Sequence, residues 1–168
     1  MANNTTAIIK ATYTRERGAA KANIRYIQHR KGRDGHKLTR ELFGAEGGIN
    51  RQEAYQMVDD AAKGTVFFRL IISPPQDTHS LNLAEITEKT MLHLAERIGK
   101  PCPYIAAAHA ADHTPYHHVH CLALVRGRLE PQDFQSLRQR ATEAALEQRK
   151  ERDRQQEQQK GGGGELQR

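Results

Sequence analysis

Two short apolar stretches separated by a polar segment most constrain how this chain can fold. Residues 104–109 (YIAAAH) and 118–125 (HVHCLALV) have the length of strands, and the eight residues between them are mostly polar and include a proline. Apolar runs of this length bounded by turn residues are typical of buried strands. The sequence therefore predicts an antiparallel β-hairpin with residues 112–116 in its turn.

Histidines are concentrated in this predicted hairpin, which holds five of the nine in the chain. Because strand side chains alternate between the two faces of a sheet, His118 and His120 should point to one face and Val119 to the core behind it. Two imidazoles on one face can share a metal ion. Three protein ligands would leave positions open for water or substrate, which is the arrangement of catalytic metal sites.

The remaining parts of such a site have more than one candidate. The third ligand is His109, at the end of the first predicted strand, or His113, in the turn, whereas His117 should point away from His118. Asp112 could hydrogen-bond the far nitrogen of a ligand histidine and fix its tautomer. Three imidazoles favour manganese, nickel or zinc over magnesium by intrinsic affinity. Because abundance also counts, we expect a divalent ion, manganese or magnesium first and zinc or nickel as alternatives.

Tyr26 is the candidate nucleophile. In a helix predicted over residues 19–30, it lies about 100° from Ile27 and about 200° from Ile24, off the apolar stripe. Its own face carries small or basic residues, namely Ala19, Ala22, His29 and Arg30. Nearby positive charge favours a phenolate, whose ordinary pKa is about 10, and thus an oxygen nucleophile aimed at a phosphate. From the helix alone, a packing tyrosine is the commoner explanation.

The first forty residues are strongly basic. They contain only two acidic residues, Glu16 and Asp34, and the whole chain carries a net charge of +6. The ten cations of this segment are Lys10, Arg15, Arg17, Lys21, Arg25, Arg30, Lys31, Arg33, Lys37 and Arg40. Such a surface fits a phosphate backbone, with an ordinary solvated face as the alternative.

The other segments complete an α+β pattern. Strands are predicted at residues 7–14 and 65–72, a short hairpin around Leu42 and Phe43, and helices at 50–63, 83–98 and 130–160. Asn50 and Glu53 have the spacing of a capping box. This order predicts a central, mostly antiparallel sheet flanked by helices. From Glu147 the last helix becomes charged and glutamine-rich, and residues 161–164 are glycines expected to form a flexible tail.

Length and composition favour one soluble domain. A chain of 168 residues can bury a real core. It has no run of about 18 apolar residues and no apolar leader, so we expect a cytoplasmic protein that does not enter a membrane. Cys102 and Cys121 should lie on the two hairpin strands as reduced, buried residues.

Three segments together resemble the motifs of plasmid relaxases, the mobilisation nucleases of the HUH endonuclease superfamily, and the P-type mobilisation relaxases in particular. They are the histidine segment, the stretch Ile-Arg-Tyr26-Ile-Gln-His-Arg, and the strand end Leu-Ile-Ile-Ser73-Pro. The resemblance covers roughly residues 7–128, and the gap between His109 and His118 is longer than in many relatives. It implies a relaxase domain at residues 1–146, followed by a helical extension and glycine-rich tail at 147–168.

The resemblance also implies a function. A relaxase nicks one strand of plasmid or conjugative-element DNA at a transfer origin, through a covalent 5′-phosphotyrosine intermediate that allows reversible strand transfer. Carried over, Tyr26 is the nucleophile, His118, His120 and His109 are metal ligands, and Asp112 is the acidic residue of the histidine motif. Ser73 would contact DNA near the nick. The charge of the basic segment, and not the resemblance, makes Lys21, Arg25, Arg30, Lys31 and Arg33 the further candidates for DNA contact.

Partners and alternatives follow from the same resemblance. The substrate would be single-stranded or locally melted DNA, and the implied partners are accessory mobilisation proteins and a type IV secretion coupling protein. No tyrosine follows His120, which argues against the related replication initiators and transposases, whose tyrosine usually follows the histidines. The competing interpretations are a metal- and DNA-binding accessory protein without catalysis and a metallonuclease that uses water.

Overall fold

The chain folds into a single antiparallel sheet with helices on both faces. A computed structural model describes residues 6–31, 35, 39–75, 81–109 and 117–165, with side chains as far as residue 161. The elements, in chain order, are β1 (Ile8–Thr14), α1 (Arg17–His29), β2 (Leu42–Gly44), β3 (Gly47–Ile49), α2 (Arg51–Asp60), β4 (Thr65–Ser73), α3 (Leu83–Ile98), β5 (Tyr104–His109), β6 (His118–Arg126) and α4 (Pro131–Glu165). The predicted α+β class is confirmed.

The sheet places β6, the strand with two histidines, near its centre. The strand order is β1-β4-β6-β5-β2-β3, and every neighbouring pair is antiparallel. β5 and β6 form the predicted hairpin, in which His109 pairs with His118 and Ala107 with His120. β4 is the predicted buried strand, and it lies between β1 and β6.

Two cores lie on opposite faces of the sheet. Val119, Cys121 and Ala123 of β6 belong to the core that α3 and α4 cover. Leu122 and Leu124, on the alternate positions, belong to the core that α1 and α2 cover. His118 and His120 share the parity of Leu122 and therefore lie on the α1 side of the sheet. Val119, between the two histidines, is fully buried on the opposite face of the sheet, as predicted.

Local sequence signals explain where several helices begin and end. The side chain of Asn50 accepts from the backbone N–H of Glu53, and the Glu53 carboxylate accepts from the backbone N–H of Asn50, so the predicted capping box is present. α3 begins after Asn82, whose side chain accepts from Glu85, and ends at Gly99 in a left-handed conformation. α1 begins two residues earlier than predicted, at Arg17.

Two expectations need correction. Cys102 is buried but precedes β5 instead of lying on it, whereas Cys121 lies on β6, and both thiols are free. Residues 161–164 were expected to be a flexible tail, but α4 continues through them to Glu165. The expectation came from the flexibility of glycine-rich segments. Glu147, the first residue of the predicted extension, still contacts α3 through a salt bridge to Lys89.

Candidate metal centre

Three histidines from two paired strands converge at one end of the sheet. His109 closes β5, and His118 and His120 open β6. The centroid of the His109 ring lies 4.9 Å from that of His118 and 4.3 Å from that of His120. One ligand nitrogen from each ring lies within 4.8 Å of the others. The cluster could therefore hold a metal ion, and it contains all three histidines predicted as ligands.

Burial keeps two of these imidazoles in the form that binds metal. Burial, and then the charges of His120 and Arg40, lower the pKa of His109 to about 3. Burial, and then the charges of His118 and Arg30, lower the pKa of His120 to about 4. Both rings are therefore neutral near pH 7, and a neutral imidazole is the form that binds a metal.

The hydrogen bonding of His109 fits a ligand. Its Nε2 donates to the backbone carbonyl of Ile27 at 3.1 Å, which leaves the lone pair on Nδ1. That Nδ1 atom is buried and has no hydrogen-bond partner. Metal-bound histidines usually donate their other N–H to a carbonyl or carboxylate, and buried polar atoms without a partner are rare. The donor set and this open nitrogen fit a divalent metal ion that accepts imidazole nitrogen.

Tyr26 lies beside the histidine cluster. Its ring approaches that of His120 edge-on, with 6.2 Å between centroids, and the Arg30 guanidinium lies 5.8 Å from the Tyr26 ring centroid. The side chain is 51% exposed, so it is not packed in the core as the alternative interpretation required. α1 thus places an accessible phenol next to the candidate ligands and a cation.

Two arginines, Arg30 and Arg40, lie beside the histidine cluster. Nη1 of Arg30 donates to Nε2 of His120 at 3.3 Å, and Nη1 of Arg40 donates to the backbone carbonyl of Arg30 at 2.6 Å. Arg40 is only 9% exposed. Sequence reasoning counted Arg40 as one of ten cations and did not assign it to the site. No sequence signal distinguished it, because its burial depends on the packing of α1 against β5 and β6.

The predicted DNA-contacting residues have different surroundings. Ser73 is half-buried at the end of β4, one residue beyond Ile72, which pairs with Val119. This register places Ser73 at the His118 end of the sheet. Lys31 is exposed. Arg33, with Asp112 and the alternative ligand His113, lies outside the described residues.

Other cations of the basic segment have local partners. Lys21 forms a salt bridge with Asp59, with 2.7 Å between the charged atoms, and Nη1 of Arg25 donates to the Tyr55 hydroxyl. Arg17 donates to the carbonyls of Val58, Asp59 and Ala61 at the end of α2. Arg17 and Lys21 therefore tie α1 to α2, and the phosphate track along the basic segment stays a prediction.

Comparison with protein-family models, curated proteins and solved structures found no match to this chain. None of the helices in the described ranges combines the length and apolarity needed to cross a bilayer.

Proposed function

We propose that this protein is a relaxase, which nicks and rejoins one strand of plasmid or conjugative-element DNA at a transfer origin in a metal-dependent reaction. The observation that carries the proposal is the accessible Tyr26 phenol beside three converging histidines, with ring centroids of Tyr26 and His120 6.2 Å apart. A nucleophile next to a metal site is the minimum that such chemistry requires.

In the proposed reaction, Tyr26 forms the covalent bond to the DNA phosphate. Its phenolic oxygen attacks the scissile phosphorus in line, the bond from phosphorus to the 3′-oxygen breaks, the phenolic proton is lost to solvent, and the leaving oxygen takes up a proton. The product is a 5′-phosphotyrosine and a free 3′-hydroxyl. The phosphodiester energy is kept in the new bond, so a 3′-hydroxyl can reverse the step and rejoin or transfer the strand.

The histidines hold the metal in this proposal. When bound by His109, His118 and His120, a divalent ion supplies Lewis acidity that offsets charge on the scissile phosphate. Manganese or magnesium is the expected ion, with zinc and nickel as alternatives that imidazole ligands also suit. The donation from His109 to Ile27 orients that ring before the ion arrives.

The surface beside the cluster supports a single-stranded substrate. Lys10, Ile71 and His120 pair in one row across β1, β4 and β6, so their side chains share a face. Lys10 is exposed, and Arg69 lies on the same face two residues before Ile71. A basic strip that leads to the metal site suits a DNA backbone, and in-line attack needs DNA that is single-stranded or locally melted.

The further proposed partners are accessory mobilisation proteins and a type IV secretion coupling protein, and the proposed location is the cytoplasm.

The test is a denaturing gel assay with labelled single-stranded DNA pooled from candidate transfer origins and with manganese added. Wild type should give a denaturant-resistant protein–DNA band, and Tyr26→Phe should give none while still binding DNA. Tyr13→Phe is the matched control, because Tyr13 is also an exposed tyrosine but contacts Phe68 on the opposite face.

The other outcomes identify the competing functions. A nicking Tyr26→Phe protein would refute the assignment of the nucleophile. Cleavage that leaves free 5′-phosphate ends, with no adduct, would indicate a metallonuclease that uses water. DNA binding without cleavage of any pooled origin would favour the accessory protein.

A further inference from the structure

We propose that Arg40, together with Arg30, forms a phosphate-binding subsite beside the three histidines. The identification of its ligand as a DNA phosphodiester rests on the proposed function, whereas the subsite itself is argued from the structure. Neither the histidine motif nor the Tyr26 segment includes Arg40, so this residue is an addition to the site.

Arg40 is a buried cation held in one position. Its backbone N–H donates to the carbonyl of Gln28 at 2.9 Å, and its Nη1 donates to the carbonyl of Arg30 at 2.6 Å. Both carbonyls belong to the C-terminal end of α1, where helical carbonyls lack partners within the helix. Its Nη2 atom is buried and has no hydrogen-bond partner. One terminal nitrogen of a fixed, buried guanidinium is therefore left without a hydrogen-bond partner.

The residues that the structure describes provide no anion for this charge. Among the residues that the structure describes, no carboxylate forms an ion pair with Arg30 or Arg40. Burial, and then the charge of Arg30, lower the pKa of Arg40. A buried charge is costly unless it is paired. Two neighbouring cations, of which Arg40 is buried, thus call for an anionic partner.

The position of the pair favours phosphate as that anion. Arg30 bridges the two reactive parts of the site, since its guanidinium lies 5.8 Å from the Tyr26 ring centroid and its Nη1 lies 3.3 Å from His120. Arg40 is joined to Arg30, because its Nη1 donates to the Arg30 backbone carbonyl. Guanidinium groups match the oxygens of a phosphate with paired hydrogen bonds. An oxyanion held between these arginines would lie within reach of both the nucleophile and the metal ligands.

The experiment uses inorganic phosphate and the metal-free full-length protein in EDTA. Phosphate should raise the melting temperature of wild type and shift the Arg40 Nε–H signal in nitrogen-edited NMR spectra, with both effects saturating together. Arg40→Met should lose the phosphate-dependent rise in melting temperature. Arg40→Lys keeps the charge but not the paired donors, and should bind phosphate roughly tenfold more weakly.

Arg128→Met is the matched control, because Arg128 is exposed and lies past the far end of β6. It should respond to phosphate as wild type does. Equal phosphate affinity in wild type and Arg40→Lys would overturn the proposal, as would a wild-type Arg40 signal that phosphate does not move. The NMR shift of the wild-type Arg40 signal needs no variant, so it tests the phosphate subsite even if Arg40→Met does not fold.

The two proposals fail separately. Phosphate binding that depends on Arg40, in a protein that forms no DNA adduct, would keep the subsite and remove the relaxase function. Adduct formation by Arg40→Lys at the wild-type rate, with unchanged phosphate affinity, would keep the relaxase function and remove the subsite.

Discussion

Acidification should destabilise the metal-free protein through His109 and His120. Their pKa values in the folded state are about 3 and about 4, lowered first by burial and then by neighbouring histidines and arginines. In the unfolded chain both return to about 6.5. Between these values the unfolded state binds more protons than the folded state. The stabilisation is therefore present above about pH 6.5 and is lost as the pH falls.

The size of the effect follows from the same values. Between pH 7 and pH 5, an imidazole that titrates near 6.5 when unfolded and near 3 or 4 when folded lowers the free energy of unfolding by about 2 kcal/mol. Each of the two histidines contributes this amount. Because domains are stable by only about 5–15 kcal/mol, the loss is a large share of the total.

Urea unfolding at pH 7 and at pH 5, with EDTA present, measures the prediction. His120→Gln should lose about 2 kcal/mol less than wild type over this interval, because one of the two titrating groups is gone. His93→Gln is the control, since His93 is a half-buried histidine on α3 that hydrogen-bonds to Ser136, away from the cluster. It should lose as much as wild type does.

Two carboxyl groups whose pKa values are also shifted, those of Asp133 and Glu147, do not mimic this result. The pKa of Asp133 is lowered by a backbone hydrogen bond and Arg97, and that of Glu147 by Lys89 and Arg140, so their contributions are lost only at more acidic pH. Both groups are present in wild type and in the variants, so they cancel in the comparison. The same loss of stability in His120→Gln as in wild type would refute the reasoning.

Two further predictions concern the metal and the packing of α1. Manganese at about one hundred times its dissociation constant should add about 2.7 kcal/mol to the free energy of unfolding of wild type. Calorimetry should show that His118→Ala binds manganese much more weakly than wild type does. Equal affinity would exclude His118 as a ligand. In a urea titration, Arg17→Met should lower the free energy of unfolding by about 2 kcal/mol, because three carbonyls at the end of α2 lose a charged donor. Lys21→Met removes a partly exposed salt bridge and should lower the free energy of unfolding by less than about 1 kcal/mol.

Much of the fold could be predicted because its signals are local. The period-2 pattern around Val119 gave the face of each histidine, and the side-chain caps of Asn50 and Asn82 mark helices that the apolar spacing also indicated. The antiparallel pairing of the two histidine-bearing strands followed from two apolar runs with a polar segment between them. Each of these depends on residues close in sequence.

The rest of the site depends on contacts between distant segments. Arg17 and Arg40 are two arginines of the same basic segment. Arg17 donates to carbonyls at the end of α2, whereas Arg40 is buried beside the histidines. The packing of α1 decides this difference, and charge counting cannot detect it. The same applies to Tyr26, which the helical pattern placed off the apolar stripe but could not place beside His120.

α1 joins the parts of the candidate site, and its core contacts explain how. Ile24 and Ile27 are buried against the sheet, in the same core as Leu122 and Ile105. The carbonyl of Ile27 accepts from His109, and Tyr26, the preceding residue, reaches His120. One helix therefore fixes the tautomer of a candidate ligand, presents the candidate nucleophile and, at its C-terminal end, holds Arg40. A substitution that shifts α1 on the sheet should disturb all three together, so the core face of this helix is as much a part of the site as its exposed one.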